Sequence, residues 1–221
     1  MSTKDYPDAI RNDVNFKWFN RKGRANFERF APPTVDRYLK IGSWEGASFF
    51  WICQHRHPRR AISIDPYSAD RLRTQEENRQ RGERFEQLWR TFYPEVKGLR
   101  FQETSRDVFP ALLARGEPSF DMIYIDGSHE GADVLFDGAA AIEVLAPGGV
   151  LIFDDLQSRR NNAGLQLAID TLRRLNFYRL ELLAWNKQAV FRHRTPPLKR
   201  PAKQTHKLGP SRPVPDAETK V

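Results

Sequence analysis

The chain has 221 residues, 36 Lys and Arg against 28 Asp and Glu, a net charge of +8 and a single cysteine, Cys53. That length suits one domain with appendages and a sizeable core. One cysteine excludes an internal disulfide and any multi-cysteine metal site. The N-terminus MSTKDYPDAIRNDVN has no apolar h-region and no stretch of the chain is apolar enough to span a bilayer, so a cytoplasmic protein with no membrane partner is expected.

In chain order, residues 1–33 form a polar N-terminal cap studded with Phe16, Trp18, Phe19, Phe27 and Phe30, expected to be partly helical and to pack over the open end of a sheet. Val35–Ile41 reads as a strand, Gly42 and Gly46 as a turn, and Ala47–Cys53 as an apolar helix that buries Cys53 behind Phe49, Phe50 and Ile52. A second strand, Ala61–Asp65, ends in a carboxylate 23 residues beyond Gly42. A strand, glycine turn, helix and acid-ended strand make the unit with which open α/β sheets bind a nucleoside. Glycine lets the backbone approach, the helix start offers free N–H groups, and the acid accepts ribose hydroxyls. A dinucleotide turn would read G-x-G-x-x-G, but Trp44 and Glu45 stand between these glycines, in the pattern G-x-x-x-G. S-adenosylmethionine, which has a ribose and an adenine but no pyrophosphate, suits this turn; Gly42, Ser43, Gly46, Ser48 and Asp65 are then its candidate contacts. An ordinary structural turn is the alternative.

The charged segment 68–97 carries Phe85, Leu88, Trp89, Phe92 and Tyr93 at helical spacing, which makes either a core face or a substrate lid. Phe120–Asp126 is another apolar run ending in an acid, followed by Gly-Ser-His. A helix is expected over Glu130–Ala146, stopped by Pro147-Gly148-Gly149, and a short buried strand over Val150–Phe153, followed by Asp154-Asp155. Residues 195–221 hold 6 of the 15 prolines and a net charge of +4, six Lys and Arg less two acids. They read as a disordered basic tail, either simply solubilising or able to hold polyanions weakly. The remaining +4 on the core, with no basic-aromatic module, argues against nucleic acid as its partner.

The segments LKIGSWEGAS, AISIDPY, FQETSRDVFPAL, FDMIYIDGSHEGADVLFDGAAAIEVLAPGGVLIFDD and NKQAVFRHR, spanning about residues 35–193, resemble the class I S-adenosylmethionine-dependent methyltransferases. The catechol and macrocin O-methyltransferase-like branch is the most similar. The resemblance implies a Rossmann-like α/β fold for residues 34–194, a doubly wound seven-stranded sheet in the order 3-2-1-4-5-7-6 with helices on both faces. It also places an Mg²⁺ ion on Asp126, Asp154 and Asp155, whose carboxylates converge at adjacent strand ends and suit a hard cation. An N-capping role for Asp154 or Asp155 is the structural alternative. Asp126 also falls on the cofactor side. His129 matches the position of a basic residue in relatives and becomes the candidate base for an acceptor hydroxyl, unless it only bonds its own turn. Ser105 matches the adenine neighbourhood, with helix capping as its rival.

Two residues depart from the family pattern. Lys40 stands where relatives carry an acid that faces the amino-acid end of S-adenosylmethionine, and Glu103 stands where they carry Gly. The expected activity is metal-assisted O-methylation of a small hydroxylated molecule, with room for a homodimer. A weakened, non-catalytic S-adenosylmethionine-binding scaffold and an RNA-directed methyltransferase are the rivals.

Overall fold

The computed structural model describes residues 6–17, 19–68, 73–114, 116, 120–157 and 162–195. The apolar runs become strands β1 (Arg37–Ile41), β2 (Arg60–Ile64), β3 (Lys97–Phe101), β4 (Phe120–Ile125), β5 (Leu145–Phe153), β6 (Leu180–Trp185) and β7 (Ala189–His193). Between and before them run α1 (Asp8–Asp13), α2 (Arg21–Phe30), α3 (Ala47–Arg56), α4 (Gln75–Phe92), α5 (Ser105–Ala114), α6 (Gly131–Val144) and α7 (Asn162–Leu175). A helical crossover returns the chain to the same end of the sheet, so β1 to β5 are parallel. The short β6–β7 connection makes an antiparallel pair, and β7 closes against β5. The strand order is β3-β2-β1-β4-β5-β7-β6, the doubly wound arrangement that the resemblance implies.

Alternation across the pleat divides the core into two layers. Leu39, Ile41, Ile123, Ile125, Leu151 and Phe153 face one way and pack on α5, α6 and α7 through residues such as Phe109, Ile142 and Ile169. Tyr38, Met122, Tyr124, Val150 and Ile152 face the other way, toward Ile10, Phe27, Phe49, Trp51, Phe85 and Trp89 on α1 to α4. The aromatic stripe of α4 is core: the Phe85 and Trp89 rings lie 5.1 Å and 4.7 Å from Phe49. A capping box starts this helix earlier than its apolar stripe, with Thr74 and Glu77 each accepting the other's backbone N–H.

The N-terminal segment is built into the second layer. Phe27 of α2 meets Tyr124 edge-on at 4.8 Å and Trp51 at 5.7 Å, while Lys17 and Asn20 reach the open end of the sheet. The α6–β5 boundary differs from the expected one. Proline has no N–H and disfavours helical geometry in the residue before it, so Pro147 ends α6 at Val144 rather than Ala146. Leu145 then pairs with Phe120, and the register shifts before Val150 pairs with Met122. Among the described residues, no helix is long and apolar enough to cross a membrane. Trp18 and, beyond Thr195, the expected basic tail lie outside the described residues.

Candidate functional site

Parallel strands leave their carboxyl ends on one edge of the sheet, and a ligand crevice forms where the winding reverses, here between β1 and β4. A cavity of about 1500 Å³ opens there, lined by Gly42, Asp65, Ser105, Asp126, His129, Asp154 and Asp155 among others. That volume exceeds the roughly 300–1,000 Å³ of a typical small-molecule site, so a nucleoside cofactor and an acceptor fit side by side.

Gly42 is obligatory at this junction. It sits at φ +75°, and a Cβ there would lie 2.1 Å from the carbonyl oxygen of Asp126. The next residue but one, Trp44, is also left-handed at φ 51°, which turns its N–H onto Asp65 Oδ2 at 2.8 Å. Tyr67, at φ 47°, donates its N–H to the other oxygen, Oδ1, also at 2.8 Å. The Tyr67 hydroxyl donates to the Trp44 carbonyl at 3.0 Å and ties the two loops together. Each Asp65 oxygen thus takes one backbone donor and keeps lone-pair capacity on the cavity side, the pattern that accepts two vicinal hydroxyls.

Other residues expected at the turn face inward. The Ser43 hydroxyl is buried against that of Ser63 at 2.7 Å, and Ser48 is buried too. A Cβ on Gly46, at φ +92°, would meet the Phe85 ring at 2.5 Å, so this glycine serves the packing of α3 on α4. Ser43, Gly46 and Ser48 do not line the cavity, whereas Trp44, not singled out from sequence, does. Glu103 is exposed and off the lining.

Ser105 is on the lining at the first turn of α5, but the capping contacts belong to its neighbour: Thr104 bonds Asp107 through its N–H and its hydroxyl. The Ser105 hydroxyl bonds Asp137, which sequence reasoning missed. Asp137 is 2% exposed on α6, its Oδ1 has no hydrogen-bond partner among the described residues, and burial pushes its carboxyl up to about 6. The available signal was an acid in the stripe Val134, Asp137, Ala141, where helical spacing calls for an apolar residue.

The acid cluster is organised by partners from several elements. Lys40 is fully buried; its Nζ lies 3.3 Å from Asp126 Oδ2, donates to the Ile41 carbonyl at 3.2 Å and sits 4.0 Å from the Tyr124 ring centroid. It is absent from the cavity lining. Asp154 is buried: the Tyr124 hydroxyl donates to its Oδ2, the Asp155 N–H donates to its Oδ1, and Lys187 Nζ lies 3.9 Å from that same oxygen. Asp154 therefore already has its partners. Donor atoms of Asp126, His129 and Asp155 lie within 4.8 Å of one another, so His129 takes the place expected for Asp154 in the candidate metal-holding group. His129 Nε2 is 3.5 Å from Asp155 Oδ2 and has no hydrogen-bond partner among the described residues. Burial, with neighbouring carboxylates adding to it, raises Asp126 to about 6 and raises Asp155 as well. The two carboxylates suit a hard divalent cation such as Mg²⁺, and the imidazole is a donor better matched to a transition-metal dication.

Known proteins are similar to this chain. The profile of a family described as "Methyltransferase domain" matches residues 39–156. An uncharacterised protein of Acanthamoeba polyphaga mimivirus is 27% identical over 137 residues, 61% of this chain; the match spans only 58% of the viral protein. Among solved structures, the O-methyltransferase TomG of Streptomyces achromogenes, in complex with S-adenosylmethionine, has a TM-score of 0.58 at 16% identity, over 86% of this chain and 91% of TomG. The Bacillus cereus O-methyltransferase in complex with S-adenosylhomocysteine has a TM-score of 0.56 at 16% identity, over 84% of this chain and 86% of that one. MycE of the mycinamycin biosynthetic pathway, in complex with Mg, S-adenosylhomocysteine and mycinamycin VI, has a TM-score of 0.51 at 18% identity, over 85% of this chain and 55% of MycE. The family match covers more than half of the chain, and the sheet order and the acid-ended strands agree with it: the chain belongs to the methyltransferase-domain family, within the class I S-adenosylmethionine-dependent methyltransferases.

Proposed function

We propose that this methyltransferase transfers the methyl group to a hydroxyl of a small, polar acceptor with the help of a divalent cation. The observation that carries the reading is the presence of two chemistries in one cavity. Asp65 offers two oxygens to a ribose diol, and on the same lining the donor atoms of Asp126, His129 and Asp155 gather within 4.8 Å of one another. S-adenosylmethionine would supply a sulfonium methyl as electrophile, and Mg²⁺ held by Asp126 and Asp155 would lower the pKa of the acceptor hydroxyl.

The protein's own contribution is placement and proton removal. Gly42 lets the β1 turn close on the β4 loop, and the Trp44 and Tyr67 amides fix the Asp65 carboxylate. Lys17, Asn20, Gln157 and Lys187 line the same cavity and offer hydrogen bonds to an acceptor's hydroxyls, which supports a polar acceptor such as a sugar. The Mg and mycinamycin VI present in the MycE complex agree with an oxygen acceptor at an ion. A second reading of His129 is favoured by its 3.5 Å approach to Asp155: oriented by that carboxylate, the imidazole takes the hydroxyl proton as a base instead of holding the ion.

The test is methyl transfer from labelled S-adenosylmethionine to a panel of sugars, catechols and hydroxylated polyketides, run with EDTA and with Mg²⁺ restored. Transfer to oxygen that stops in EDTA and returns with Mg²⁺ is expected. His129→Ala should lower turnover by about 10²–10⁴ in either role. It abolishes Mn²⁺ binding if His129 is a ligand and preserves it if His129 is the base. Full activity in EDTA would remove the metal from the mechanism.

A further inference from the structure

Lys40 is the buried charge that the proposed chemistry leaves unused. A fully buried ammonium is costly unless it is paired. Here it is held at three points: the Asp126 carboxylate at 3.3 Å, the Ile41 carbonyl at 3.2 Å and the face of the Tyr124 ring at 4.0 Å. The Tyr124 hydroxyl in turn donates to Asp154, whose other oxygen has Lys187 Nζ at 3.9 Å. The three carboxylates of the cluster, Asp126, Asp154 and Asp155, therefore face two ammonium groups supplied by the chain, with His129 beside Asp155. Three carboxylates against two ammonium groups leave one net negative charge. A divalent ion entering the Asp126–His129–Asp155 group makes the cluster net positive, and it must share Asp126 with an ammonium that the fold cannot move aside.

We infer that Lys40 is a built-in counter-ion that holds Asp126 and keeps the Asp126–His129–Asp155 group a weak, readily exchanging divalent-cation site. The inference rests on the metal reading proposed above. Coulomb repulsion between a dication and an ammonium that contacts one of its ligands is long-ranged in a partly desolvated site, so removing that ammonium strengthens ion binding. Lys40 also fixes which Asp126 oxygen is committed: Oδ2 to the ammonium, leaving Oδ1 for a ligand. In this role Lys40 is a positioning residue, since it lies outside the cavity lining.

The experiment measures free Mn²⁺ by electron paramagnetic resonance during titration of the full-length protein, without cofactor or acceptor. The wild type should bind Mn²⁺ weakly, and Lys40→Met, similar in length and neutral, should bind it at least tenfold more tightly. In parallel, a fixed Mg²⁺ concentration should raise the melting temperature of Lys40→Met more than that of the wild type. Lys40→Gln keeps a donor for the Ile41 carbonyl and provides the same comparison if the methionine variant does not fold. Equal or weaker Mn²⁺ binding in the neutral variants would overturn the role assigned to Lys40. Absence of Mn²⁺ binding in the wild type and both variants would instead overturn the metal reading, and this inference with it.

Discussion

A carboxyl group set into an apolar helix face loses hydration each time it ionises, and Asp137 is placed in that way between α6 and the start of α5. Its folded-state pKa is raised from 3.8 to about 6, so the folded protein holds this proton more tightly than the unfolded chain does. The sign of the linkage follows: stability contributed by the neutral form is present at low pH and is lost as pH rises from about 4 to about 6. Asp137→Asn cannot ionise and removes that loss. Relative to the wild type, the variant should therefore gain about 1–2 kcal/mol in unfolding free energy between pH 4.5 and 7.5. Urea denaturation at the two pH values checks this, and a stability difference that does not change with pH would show that Asp137 is not ionising inside the fold. Asp126 and Asp155 are raised for the same physical reason, but their charge is shared with Lys40 and His129, so neither reports on burial alone.

At the scale of elements, the N-terminal helices test whether the cap is separable from the domain. Phe27 of α2 is fully buried and contacts Phe19, Trp51 and Tyr124 with ring centroids 4.9 Å, 5.7 Å and 4.8 Å away. Truncating a buried phenylalanine costs about 3–5 kcal/mol through lost burial and the cavity left behind. Phe27→Ala should lower global stability by that amount in a single cooperative transition; an unchanged melting temperature would mean that the cap only rests on the sheet. The elements also show what the sequence could and could not reveal. Apolar runs and helical spacing were enough for β1, β2, β4 and the aromatic stripe of α4, because each rests on local apolar patterning. At the α6–β5 boundary the helix ends two residues and the strand starts five residues earlier than expected, because Pro147 acts on the residue before it, a backbone effect that apolar spacing does not display. The start of α4 at Gln75 was legible only as a cap, Thr74 with Glu77, outside the apolar stripe that marked the helix.

For the whole molecule, the strand order followed from resemblance to a family rather than from spacing, since parallel pairing joins residues far apart in the chain: Tyr38 beside Met122, and Phe120 beside Leu145. The cavity residues that were legible, Gly42, Asp65, Asp126, His129 and Asp155, each sit at or just beyond a strand end, where topology alone brings them together. What was not legible depends on side-chain direction. Asp154 lines the cavity but turns its oxygens to Tyr124 and Lys187, Ser43 turns away to Ser63, and Trp44 reaches the cavity through a left-handed backbone that a non-glycine residue rarely adopts. The central claim is that the doubly wound sheet presents a nucleoside cofactor to an acidic, hydroxyl-activating cluster, and Asp65 carries its first half. Calorimetric titration of the wild type and Asp65→Ala with S-adenosylhomocysteine tests this most directly. One-to-one binding to the wild type is expected, weakened about tenfold to a hundredfold in Asp65→Ala by loss of charge-assisted hydrogen bonds to the ribose. No detectable binding to the wild type at millimolar ligand, or equal affinity in the two proteins, would contradict it.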